Sequence, residues 1–120
     1  MKVHIASDHA GYELKEAVKQ HFSNGFEWED HGTFSTESVD YPDFAHPLAD
    51  AVSKDDTARG ILICGTGNGV AITANKHANV LALPARFIDQ ATAFDLIATF
   101  FDTPFEGGRH ERRVRKINIQ

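Results

Sequence analysis

The run GILIC, residues 60–64, is apolar throughout, and G-T-G-N-G follows it without a break. No other stretch limits the fold as much. A strand without polar alternation has to be covered on both faces, as the strands of a parallel sheet are. A glycine-rich turn directly after it suits the junction from such a strand into a helix. Two further runs, VHIAS (3–7) and VLALP (80–84), read as buried strands of the same kind. FEWED (26–30) alternates apolar and acidic residues, which predicts a half-exposed strand near a sheet edge. Helical spacing marks YELKEAVKQHF (12–22), closed by Asn24 and Gly25, and FAHPLADAVSK (44–54), where Pro47 is tolerable near a first turn. It also marks NGVAITANKHA (68–78) and IDQATAFDLIATFF (88–101). The polar connection 31–43 is expected to turn at Pro42. Alternation of strand and helix gives an α/β fold with a mostly parallel sheet and helices on both faces. Ligands of such folds bind beyond the carboxyl ends of the strands.

At 120 residues the chain is expected to form a single domain, 1–120, large enough for one core. Seventeen acidic against twelve basic residues leave a net charge of -5, which argues against nucleic acid as a partner. The tail GGRHERRVRK departs from that balance, with five basic residues in ten positions, and reads as a solvated basic end or an anion clamp. A single cysteine precludes an intrachain disulfide and fits a cytoplasmic location. No signal peptide and no membrane span are expected. His4, His21, His31, His46 and His77 show no metal-ligand spacing, so neither a metal nor another cofactor is expected.

Chemistry is expected at two strand ends. A cysteine closing a central parallel strand faces the ligand crevice, and glycines after it allow backbone N–H groups to approach an oxyanion. The start of the next helix favours an anion there, so Cys64 is placed to act as base or nucleophile, with Thr66 adding a hydroxyl. A small buried hydrophobe would explain Cys64 equally well on position alone. SDHAG (7–11) ends the first strand and opens onto the same edge. Asp8 is suited to a sugar hydroxyl and His9 to a phosphate or a proton, against the plainer reading of Asp8 as a helix cap.

Taken in order, SDHAG, DYPD, GILICGTGNG, ANK and EGGRHERRV resemble the ribose-5-phosphate isomerase B family, whose relatives include galactose-6-phosphate isomerase. The likeness spans nearly the whole chain. It implies a Rossmann-like three-layer sandwich and a metal-free aldose–ketose isomerase. It further implies a homodimer whose active sites draw on both subunits. Under the resemblance Cys64 is the base that takes a proton from the carbon beside the carbonyl, and Thr66 handles protons between the enediol oxygens. Gly65, Gly67, Asn68 and Gly69 supply the anion hole. Asp8 and Tyr41 contact the sugar, while His9, Arg109 and Arg113 bind the phosphate, the arginines reaching across the dimer. Proton abstraction needs a base together with charge stabilisation at oxygen, and arginine presents a fixed fork of donors to a phosphate.

The resemblance breaks at one place. ANKHAN runs directly into VLALPARF, where the family carries a further strand, a helix and a QHND-like turn. That is roughly 20–25 residues by average element lengths. The turn bears the family's ring-opening histidine and an asparagine of the anion hole. Either a deletion has impaired turnover, or a stretch is left out of the chain, or a shortened homologue uses another histidine, His110 being the nearest candidate. Loss of a whole strand–helix unit predicts four strands rather than five, with VLALP moving into the vacated sheet position. The function expected is interconversion of ribose 5-phosphate and ribulose 5-phosphate through an enediolate. The alternatives are another sugar phosphate, such as galactose 6-phosphate, and a noncatalytic sugar-phosphate-binding homologue.

Overall fold

The strands form in the expected places. β1 (Lys2–Ser7), β2 (Glu27–Asp30), β3 (Arg59–Cys64) and β4 (Val80–Pro84) make one sheet in the order β2-β1-β3-β4, with every pair parallel. The computed structural model describes residues 1–40, 42–55, 57–65 and 79–103. Three α-helices lie among them: α1 (Tyr12–His21), α2 (Pro42–Ser53) and α3 (Gln90–Asp102). The helix expected over 68–78 falls outside the described residues. No helix among the described residues is long and apolar enough to cross a membrane.

Successive strand residues point to opposite faces, and this alternation sorts the core into two layers. Val3, Ile5, Ile61, Ile63 and Leu83 pack with Val18 of α1 and with Ala93 and Ile97 of α3. Ala6, Leu62 and Cys64 pack on the other face with Ala45, Leu48 and Val52 of α2. The three-layer sandwich follows from this arrangement. Each fully buried Ile or Leu contributes roughly 1.5–3 kcal/mol, and β3 has three of them. An uninterrupted apolar run is the composition such a central strand requires.

Two glycines are fixed by close approach. A Cβ on Gly11 would lie 2.6 Å from the Ile63 carbonyl oxygen, so the start of α1 rests on β3 only without one. Gly32 has φ +98, and a Cβ there would meet the Phe44 ring at 2.9 Å. Its segment zips onto the end of β1, with Ser7 N donating to Gly32 O at 2.7 Å and Thr33 N donating to Ser7 O at 2.8 Å.

Beneath that segment lies a buried ionic network. Lys15 is wholly buried, and its Nζ donates to both oxygens of Asp30, at 2.7 and 2.6 Å. Asp30 also accepts from Lys19 Nζ at 2.7 Å and from Gly32 N at 2.8 Å. Burial alone would raise the Asp30 carboxyl; the bonds from Lys15, Lys19 and Gly32 outweigh it and hold the group below its ordinary value. The apolar stems of α1 and the charges at its edge thus serve different layers of the same contact.

Helix ends are closed as their sequences require. Asp89 caps α3 by accepting from Thr92 N at 2.7 Å. At the other end Arg59 donates to the carbonyls of Phe100 and Thr103. Gly25, with φ +87, lies in the turn after α1 where Asn24-Gly25 is expected to stop the helix.

Three expectations need correction. Pro42 does not make a turn ahead of a helix at 44; it opens α2. Proline suits a first helical position, because the N–H it lacks has no intrahelical partner there. Pro47 therefore sits deeper in α2 than expected, but on its exposed side, where a carbonyl left without a donor is open to solvent. VLALP is a strand but not a buried one: only Leu83 is buried. β4 pairs with β3 on one side and forms the margin of the described sheet, a position that hydrophobicity alone does not reveal.

Candidate functional site

All four strands run the same way, so their carboxyl ends share one rim. Register fixes what meets there. Ser7 pairs with Ile63, so Asp8 follows β1 beside Cys64 at the end of β3. Cys64 pairs in turn with Pro84, so Ala85 and Arg86 follow β4 beside Gly65. Backbone bonds carry this pairing past the strands. Asp8 N donates to Ile63 O at 3.2 Å, Ala85 N to Cys64 O at 2.7 Å and Arg86 N to Gly65 O at 2.9 Å.

Asp8 takes the cap position considered for it: Oδ1 accepts from Gly11 N at 3.0 Å and closes the turn His9–Gly11. That bond fixes the loop carrying His9. The His9 Nδ1 accepts from Val39 N at 3.2 Å. With Nδ1 accepting, Nε2 is the ring nitrogen left to donate to an anion.

Cys64 ends β3 on the face covered by α2 and is only 4% exposed, packed with Ala6, Ala45 and Leu48. Ser7, one ladder step back, has a buried Oγ with no hydrogen-bond partner among the described residues.

Sequence reasoning overlooked Arg86. Its guanidinium lies against Gly65, where an added Cβ would come within 3.0 Å of Cζ. Gly65 is therefore the residue that admits a permanent cation to the rim. The signal was present, since A-R directly follows a strand and strand ends are where ligands bind. Of the other expected residues, Asp8, His9, Cys64 and Gly65 come together at this rim. Tyr41, Thr66, Gly67, Asn68, Gly69, Arg109, His110 and Arg113 lie outside the described residues.

An α/β sandwich with a thiol, an imidazole, a carboxylate and a guanidinium at one rim is a scaffold for a small anionic ligand. The sequence model of the family described as ribose/galactose isomerase matches residues 3–80 and again 76–117. The chain belongs to that family. It is 35% identical to ribose-5-phosphate isomerase B of Escherichia coli over 139 aligned positions, covering 97% of this chain and 93% of the relative. The alignment has more positions than the chain has residues, so it passes over family positions absent here. The two matched segments meet at 76–80, where the sequence pattern breaks.

Solved structures agree. A ribose 5-phosphate isomerase of Thermotoga maritima superposes with a TM-score of 0.86 at 45% identity, covering 97% of this chain and 96% of the other. Ribose-5-phosphate isomerase B of Mycoplasma genitalium, solved with bound ribulose 5-phosphate, gives 0.85 at 37% identity, covering 97% and 93%.

Proposed function

We propose that this chain interconverts ribose 5-phosphate and ribulose 5-phosphate, with Cys64 as the base. The observation that carries the reading is the convergence of Asp8, His9, Cys64, Gly65 and Arg86 on one rim of an isomerase-family fold.

From the aldose, the Cys64 thiolate takes the hydrogen from C2 as a proton. The C2–H electron pair forms the C1–C2 double bond, and negative charge develops on the carbonyl oxygen at C1. Amides of Gly65, Gly67, Asn68 and Gly69 are the proposed donors to that oxygen. Removal of one such donor typically lowers turnover about 10²–10³-fold. Thr66 passes a proton between the two enediol oxygens, and the Cys64 thiol returns its proton to C1, giving the ketose. Asp8 and Tyr41 hold sugar hydroxyls. His9 and Arg86 face the phosphate from one subunit, while Arg109 and Arg113 reach it from the partner in a homodimer. The whole chain acts as a single isomerase domain, in the cytoplasm.

Ribulose 5-phosphate provides a clean test. Its O5 is esterified, so it closes no furanose ring, and exchange of its C1 hydrogen reports proton transfer without ring opening. In deuterium oxide the wild type exchanges one C1 hydrogen, followed by NMR. Cys64→Ala is expected to slow exchange by at least about 10³-fold while inhibition by inorganic phosphate is retained. Equal exchange by both proteins rejects Cys64 as the base. A wild type that binds the ketose and exchanges nothing overturns the catalytic reading.

A further inference from the structure

Where β2 pairs with β1, the sheet edge gathers three ligand groups, one from β1 and two from the end of β2. His4 is buried in β1, and the parallel register sets it opposite Glu29 of β2. His31, just past the end of β2, is anchored by its own N–H donating to Ile5 O at 2.9 Å. Asp30, between Glu29 and His31, turns to the opposite face and binds Lys15, so alternation directs Glu29 and His31 to the side of His4.

The contacts are close. His4 Nδ1 stands 2.9 Å from His31 Nε2 and 3.5 Å from Glu29 Oε2. One ligand atom from each residue falls within 4.8 Å of the others. Around a tetrahedral zinc ion with bonds of about 2.0–2.1 Å, neighbouring ligands stand about 3.3–3.4 Å apart. The two imidazoles need to separate by only a few tenths of an ångström, and the carboxylate already stands about that far from His4. Both nitrogens must then present lone pairs. The hydrogen between them moves to the far nitrogen of its own ring, with no net proton released.

The structure assigns to His4, Glu29 and His31 a binding site for a divalent transition-metal ion of the zinc class, clamping the edge strand β2 to β1. Two imidazoles and one carboxylate make a borderline donor set that prefers such ions over calcium or magnesium. The Glu29 charge partly neutralises the cation, and a fourth position is left for water. Among the described residues the competitor is Lys2, whose Nζ is 3.0 Å from Glu29 Oε2. Both side chains are more than 40% exposed, and a surface pair of that kind is worth little, so a metal displaces it. The site shares no residue with the proposed catalytic rim and does not depend on the isomerase reading.

Titration of the full-length apo protein with Zn²⁺ alone, by calorimetry, tests the assignment. One equivalent should bind at this site, and Zn²⁺ should raise the thermal midpoint. Loss of an outer partner to a bound metal already weakens affinity about 10–100-fold, so His31→Gln and Glu29→Gln should each weaken it at least tenfold. Glu29 is exposed, so its variant folds whatever happens at His31. Cys64→Ser should leave this binding event intact, and X-ray absorption should show nitrogen and oxygen ligands only. Absence of binding, binding unchanged in both variants, or a sulfur ligand at about 2.3 Å would overturn the site.

Discussion

Replacing Asp30 by asparagine removes the charge that faces a wholly buried ammonium. Lys15 Nζ would keep one anionic neighbour, Glu16 at 3.4 Å, whose side chain is 42% exposed. Breaking a buried pair by deleting one partner costs about 3–5 kcal/mol, and the residual Glu16 contact places Asp30→Asn near the lower figure, about 3 kcal/mol. Lys15→Met is milder. Asp30 then retains Lys19 and the Gly32 amide and stays near water, so the expected loss is about 1–2 kcal/mol. In the Lys15→Met/Asp30→Asn double variant no unpaired buried ammonium remains. Its loss should fall short of the sum of the single losses by about 1–3 kcal/mol. Urea unfolding at one fixed protein concentration provides the measurement. With a slope of about 1.5–2 kcal/mol per molar, Asp30→Asn lowers the midpoint by about 1.5–2 M. A loss below about 1 kcal/mol for Asp30→Asn, or strict additivity in the double variant, would refute the network as a coupled unit.

The same carboxylate sets a pH dependence. Its folded value is held below the ordinary 3.8, so its contribution is complete above that value and is lost as pH falls through it toward the folded one. The stability gap between wild type and Asp30→Asn should therefore narrow from about pH 5 downward; a gap constant to about pH 2 contradicts the linkage. Gly11→Ala places a Cβ 2.6 Å from the Ile63 carbonyl and should destabilise by about 2–3 kcal/mol in thermal unfolding. Because Asp8 caps at Gly11 N, kcat/KM should also fall; an unchanged thermal midpoint refutes the close packing. Arg86→Leu alters an exposed side chain and should change stability by less than about 0.5 kcal/mol. It should raise KM for ribose 5-phosphate about tenfold or more, as loss of a charged hydrogen bond does, and an unaltered KM removes Arg86 from the phosphate site.

Much of the framework was readable in the chain because its signals are local. GILIC announces a central parallel strand by lacking any polar alternation, and FEWED announces an edge strand by having it. Where residues are ambiguous, reading fails for identifiable reasons. Proline serves both turns and first helical positions, so Pro42 was assigned to the wrong one. VLALP has the composition of a central strand, and nothing local shows that β3 is its sole described neighbour. Of the expected site, Asp8 and Cys64 are traceable because strand ends in this fold converge. Arg86 was reachable by the same rule. The group of His4, Glu29 and His31 was not, because it exists only through the parallel register of two strands 20-odd residues apart.

Uniform strand direction has one more consequence. A chain that crosses from one parallel strand to the next always returns to the same starting rim, so each crossover is a self-contained cassette. Excising a complete cassette reverses no strand, leaves no reversed polarity at the seam and lets the next strand slide into the gap. The direct pairing of Gly60 with Val80 and of Cys64 with Pro84 is the register that such an excision would leave. Length is then a property evolution can trim from the scaffold, provided the cut respects the module and spares the chemical rim.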